Sequence, residues 1–377
     1  INGIDLYYEI HGSGPAVLMF AGGALRDLTV RGGEAEVGAG VRVDGGDAAL
    51  ERVTITGNRC LSAGNVCAGA GLAVLGGSAT LSSVTVAANE GAVNQSGRVV
   101  GLGVYVNGAG LVANSSTVSD NVLYLPDDAE VPDAFGLGIA LAAGATATLQ
   151  GVDVLRNSID TVSTLAGAGV YVDASTLDMS QGWIAGNYGY CRQGNGGGLL
   201  VYAGSATLTN VVVVQNRVSC SATATGGGAA VDAGVLSGSN LVLAGNVAEA
   251  TTAEGGALHL AGGGAVALVN SVLYANTASS LGASGGAASG TGTLSLSYAD
   301  VYANAPSASL YGSIEVDGST VLEVDPLFVD TDGTAPGEWD LHLSPGSPLV
   351  DAGDPAVLDA DGSRSDVGVF GGPEGSW

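Results

Sequence analysis

Apolar and polar residues alternate in short runs along this chain, and the runs return at a regular interval. Between Gly196 and Asn216 three glycines lead into Leu199–Tyr202, a small turn follows, and Ser205–Val214 resumes the alternation with β-branched residues. Period-two alternation rich in Val and Thr reads as strand, and paired glycines supply turns with positive φ. The 3.6-residue apolar period of a helix is absent.

Each run closes on the same phrase, an apolar residue three positions before an asparagine. It occurs at Ile55–Asn58, Val86–Asn89, Val118–Asn121, Val154–Asn157, Ile184–Asn187, Val213–Asn216, Leu243–Asn246, Leu273–Asn276 and Val301–Asn304. Successive asparagines lie 31, 32, 36, 30, 29, 30, 30 and 28 residues apart. A unit this short cannot bury a face alone and must stack on its neighbours, which places equivalent side chains ~4.8 Å apart, one above another. The pattern predicts an all-β fold, a right-handed parallel β-helix solenoid of about ten coils. The solenoid is expected over residues 24–323, with an N-terminal hairpin over 1–23 and a C-terminal cap over 324–377. The asparagines read as a structural ladder, each bonding the turns above and below.

Four cysteines test that register. Cys191 and Cys220 follow Asn187 and Asn216 by four residues each, so they share one station on adjacent coils, inside disulfide range. Cys60 and Cys67 lie in one loop after Asn58 and are expected to pair across it. Two disulfides imply an oxidising compartment, extracellular or at a bacterial surface. No third or fourth Cys or His accompanies either pair, which argues against a metal site there.

Composition narrows the choice of partner. The 377 residues include 64 Gly but only 5% aromatics, which suits a thin layered core of Val, Ala and Leu. Ten basic residues, all Arg, face 36 acidic ones, a net charge of −26. With no basic stripe, nucleic acid and anionic membranes are poor partners. No run reaches the ~18–20 apolar residues of a membrane span. The chain reads as a monomer whose partner is a carbohydrate or a surface protein.

The glycine turns carry a resemblance. Gly255-Gly256-Ala257-Leu258, with Gly226–Ala229 and Gly196–Leu199 as variants, resembles the Gly-Gly-Ala signature of polymorphic outer-membrane and autotransporter-like surface proteins. Their Phe-x-x-Asn signature is matched with Ile, Val or Leu in place of Phe. The resemblance covers roughly residues 24–320 and implies a parallel β-helix exposed at a bacterial surface. It departs in lacking a C-terminal membrane barrel.

Composition shifts again near Val324. Asp325–Asp330, Asp340–Pro355 and Asp359–Gly372 look like the cap of many secreted bacterial β-helix proteins, closing an open solenoid end. Within it Asp359, Asp361 and Asp366 fall at a loop spacing suited to Ca²⁺, the only cofactor considered. The competing reading is turn chemistry with an ion pair to Arg364. At the other end, Ile1–Gly23 resembles the first two strands of α/β-hydrolases, with Ala21 where that family's oxyanion turn has His. Its one Gly-x-Ser-x-Gly string, Gly282–Gly286, falls on a repeat glycine turn with no readable helix after it, so a nucleophile elbow is not expected.

Aligning the strands after the glycine turns separates inward from outward columns. Val41/Val43, Leu72/Val74, Val104/Val106, Ile139/Leu141, Val170/Val172, Leu199/Val201, Ala229/Val231 and Leu258/Leu260 should face in. The outward positions are bland except for Tyr171, Asp173, Tyr202, Asp232 and His259 on four successive coils. Asp173 and Asp232 should stand two coils, ~9–10 Å, apart, at the upper limit for an inverting glycosidase pair. Tyr105, Tyr171 and Tyr202 are candidates to stack on sugar rings. The longest loop, Val122–Gly136, brings Tyr124 and Phe135 beside them. Three functions follow: a non-catalytic adhesive or carbohydrate-binding surface, a glycoside hydrolase or polysaccharide lyase using Asp173, Asp232 and His259, and a structural spacer. A lyase of this fold would need an Arg or Lys base, and Arg156, Arg192 and Arg217 fall near the Asn turns instead.

Overall fold

Strand upon strand pairs in parallel with its equivalent one repeat later, and the register follows the column alignment. Val104 lies between Leu72 and Ile139, and Val170 between Ile139 and Leu199. The computed structural model describes residues 18–20, 23–62, 66–93, 97–124, 132–280, 282–306, 310–317, 320–333 and 337–377. Among these no helix occurs, and the strands form a 25-stranded and a 13-stranded parallel sheet plus one antiparallel pair, Phe328–Asp330 with Asp340–Leu343. The protein is an all-β parallel β-solenoid of about eight turns, fewer than the ten expected.

The ladder fixes the turns. Asn187, fully buried, donates from Nδ2 to Val154 O (2.9 Å) and to Asn216 Oδ1 (2.9 Å), and its own Oδ1 accepts from Asn157 N and Nδ2. The side-chain to side-chain bond recurs at every step from Asn58 to Asn304. Each residue before a ladder asparagine is left-handed, including the non-glycines Ala88 (φ 53°), Arg156 (φ 51°) and Gln215 (φ 54°). That conformation is unfavourable for an L-residue. It persists because the following Asn bonds in both directions.

The core is two columns deep in Val, Leu and Ala, with almost every inward side chain inaccessible to solvent. The glycine turn has its own requirement. At Gly196 (φ 71°) a Cβ would stand 2.3 Å from Leu199 O, so no larger residue fits. Both disulfides form, Cys60–Cys67 with Cα atoms 5.7 Å apart and Cys191–Cys220 with Cα atoms 4.4 Å apart. Cys191 and Cys220 are direct register partners, as the station argument requires.

Residues 1–17 and Ala21 lie outside the described residues, but Leu18–Phe20 pairs in parallel with Val41–Val43, as a solenoid strand does. After Leu322 the chain turns back and runs along the side of the stack. Leu341, Leu349, Val367 and Val369 pack on the outward side chains Val212, Val214, Val242, Ala244 and Val272. Asn210 and Asn240, themselves left-handed, hold this segment by its backbone, through Val369 O, Gly371 O, Asp366 O and Gly368 O. Asn270 Oδ1 accepts from Asp354 N.

Candidate functional site

The front strands and the second sheet meet at the glycine turns in an inward-folded corner, so their outer faces form a trough along the stack. One wall carries the outward column Tyr105, Ala140, Tyr171, Leu200, Ala230, His259, in direct register from coil to coil. The other carries the residue just before each turn glycine: Val100, Phe135, Ala166, Asn195, Thr225, Glu254. Members of both walls touch, which buries Ala140, Tyr171, Leu200 and Ala230 although they point away from the core. This wall is therefore covered along much of its length by the residues facing it, although the alternation alone placed it outward.

The N-terminal part of the trough is filled by its own side chains. Phe135 lies over the gap left by Ala140, its ring centroid 5.5 Å from that of Tyr171, with the Arg98 guanidinium 4.5 Å above it. Large and small residues alternate between the walls, so Tyr105, Phe135 and Tyr171 interlock. Burial pushes the Tyr171 hydroxyl well above the ordinary tyrosine range, and the Asp173 carboxylate, which accepts its hydrogen bond, pushes the same way. Burial also raises Tyr105, against the opposing Arg98 charge. These three aromatics are packing partners of one another before they are platforms for a ligand. Tyr124 ends a strand, but its side chain lies outside the described residues, as do residues 125–131 of the long loop.

The C-terminal part is open and polar. Tyr202 is 45% exposed and stands in register between Asp173 and Asp232, which are half-buried. Leu200 and Ala230, two positions nearer the turn on the same and the next strand, are buried, and before the turn Thr225 Oγ1 donates to Asn195 Oδ1 (2.7 Å). The two carboxylates are thus two strands apart, ~9–10 Å, with an aromatic ring in the space between them. An inverting pair works across ~6.5–9.5 Å with a water and the scissile bond in that space.

His259 closes the row. Its Nδ1 is 2.9 Å from Ser289 Oγ and 3.8 Å from Glu254 Oε2, and burial pulls its pKa down to about 4, so the ring is neutral. Both contacts fall on one ring nitrogen and Ser289 is fully buried, so Ser, His and Glu do not form a nucleophilic relay. Ser284, of the Gly-x-Ser-x-Gly string, is also buried and pairs through its backbone with Glu254.

The three aspartates considered for calcium serve separate backbone groups. Asp359 accepts from Asp366 N and Gly372 N, Asp361 from Ser363 N and Oγ, and Asp366 from Asp351 N. Among the described residues no group of three His, Cys, Asp or Glu is gathered to hold a metal. Arg364 donates to Gly353 O and Ala352 O instead of pairing with an aspartate of the loop.

Asn195, Thr225, Glu254 and Ser289 were not singled out from sequence. Their signal is positional: three of them immediately precede a turn glycine, and Ser289 extends the column of His259. Fold and site together define a parallel β-solenoid with an outward trough. No protein-family model matches the chain, and no curated protein matches it either.

Proposed function

We propose that the open part of the trough binds a glycan that is neutral or carries amino groups, on a protein that works outside the cell, and that it does so without turnover. The observation that carries this reading is Tyr202, an exposed ring with a carboxylate on each side in register. An aromatic face stacks on the C–H face of a pyranose, and flanking carboxylates accept its hydroxyl or ammonium protons. Uronate chains, the substrates of many lyases, would meet Asp173, Asp232 and Glu254 together with a net charge of −26. The extracellular setting is supported by the two disulfides. A surface-displayed role fits the glycine-turn resemblance. No helix among the described residues is long and apolar enough to cross a membrane.

The test is a glycan array of neutral, amino-sugar and uronate oligosaccharides, followed by product analysis of each hit. Retention of neutral or amino-sugar chains, unchanged in length, is expected. Shortened products would replace the binding reading with hydrolysis by Asp173 and Asp232, and preferential uronate capture would overturn the charge argument.

A further inference from the structure

The outward column against which the C-terminal segment packs is apolar at Val212, Val242 and Val272, and the next residue in register is Asp300. Asp300 is completely buried. Its Oδ1 accepts from Val324 N at 3.0 Å, whereas Oδ2 has no hydrogen-bond partner. Leu322 is its register neighbour on the far side, so the carboxyl sits at the point where the chain leaves the stack and turns back along it. The charges that act on it most strongly are two acids of that exit segment, Glu323 and Asp325. The neighbouring strands bring Val272 and Leu322, and nearby Tyr274 packs edge-on against Phe328. Arg364, the arginine of the returning segment, is committed to the Gly353 and Ala352 carbonyls.

A buried carboxyl with one unpartnered oxygen and acidic neighbours is tolerated when protonated and opposed when ionised. We propose that Asp300 is a pH-operated latch: protonated, it lets the exit segment and the C-terminal segment lie against the stack, and ionised, it loosens them and uncovers the apolar column. Burial first, then the two acids, raises the Asp300 pKa to about 7, which puts the transition near neutrality. Asp366, in the docked segment, and Asp153, whose Oδ1 accepts from Trp183 N, are also raised by burial, and His342 of the docked segment stacks on Phe370 and pairs with Asp340; Asp153→Asn and His342→Asn are controls alongside Asp366→Asn.

The protein carries its own reporters. Of its three tryptophans, Trp183 and Trp339 lie in the docking interface and Trp377 packs at 5.7 Å on Phe370 of the docked segment. The test is tryptophan fluorescence and amide exchange of residues 321–343, corrected for intrinsic rate, between pH 5 and 9. Protection is expected to fall at least tenfold between pH 5 and 7, to level off above about pH 7, and to stay level throughout in Asp300→Asn and Asp300→Val. Asp366→Asn, Asp153→Asn and His342→Asn should keep the transition. A pH-independent wild type, or the same fall in Asp300→Asn, would overturn the latch. Should Asp300→Asn misfold by circular dichroism, the Asp300→Val variant, which continues the valine column, decides the matter.

Discussion

Replacing Asn187 by alanine removes one rung from the middle of the ladder, and the structure sets the size of the effect. The side chain donates two hydrogen bonds and accepts two, all within 3.1 Å and all fully buried. A net contribution of about 1 kcal/mol per bond gives about 4 kcal/mol for the rung. Relief by water is restricted, because Gly169 approaches so closely that a Cβ there would lie 2.8 Å from Asn187 Nδ2. Alanine leaves Asn157 N, Asn157 Nδ2, Val154 O and Asn216 Oδ1 without that partner, so the penalty falls on two neighbouring coils. A solenoid opens locally before it unfolds as a whole, so the assay is amide exchange across residues 157–216 together with urea unfolding. Protection there should drop by about 4 kcal/mol, while Asn107→Ala on the outer face should change stability by less than about 0.5 kcal/mol. A loss under about 1 kcal/mol for Asn187→Ala would show that the ladder follows the turns instead of fixing them.

Other outcomes follow from the same contacts. Asp300 has a folded-state pKa of about 7 against an ordinary 3.8, so the folded protein holds the extra proton between those values and stability should fall as pH rises from about 4 to 7. The full loss is at most about 4 kcal/mol by linkage, and thermal melts of wild type and Asp300→Asn across that window would measure it. Removing the Cys191–Cys220 bridge by a double Ser substitution opens a link of sequence separation 29 and should lower stability by about 3 kcal/mol in urea unfolding. Val242→Asp puts a charge under the docked segment and should make residues 340–371 sensitive to limited proteolysis, with the coils themselves intact.

The repeat made much of this fold readable. Column assignments such as Val104 over Leu72 and Tyr171 over Ala140 needed only the glycine and asparagine stations, because a stack converts sequence period directly into contact. The Cys191–Cys220 pair was readable for the same reason, and Cys60–Cys67 from its place in a single loop. The trough was not, because it is made by two outward columns meeting at the turn, and alternation within one strand says nothing about the angle to the next. Tyr171 therefore looked exposed and is buried, while Tyr202, two residues further past the turn than the buried Leu200, is exposed. The lateral path of the C-terminal segment is also written in the sequence. The outward station that holds Thr54, Thr85 and Thr117 in early coils becomes Trp183, Val212, Val242 and Val272 where the segment lies. Asn210, Asn240 and Asn270 mark the same coils.

If the open stretch around Tyr202 is the working surface, a calorimetric titration of wild type and Tyr202→Ala with the best neutral or amino-sugar oligosaccharide from the array reads it most directly. Losing an exposed stacking ring should weaken binding at least tenfold, about 1.4 kcal/mol, while leaving the melting temperature unchanged. Equal affinity in the two proteins would contradict the account and move the binding surface away from Tyr202.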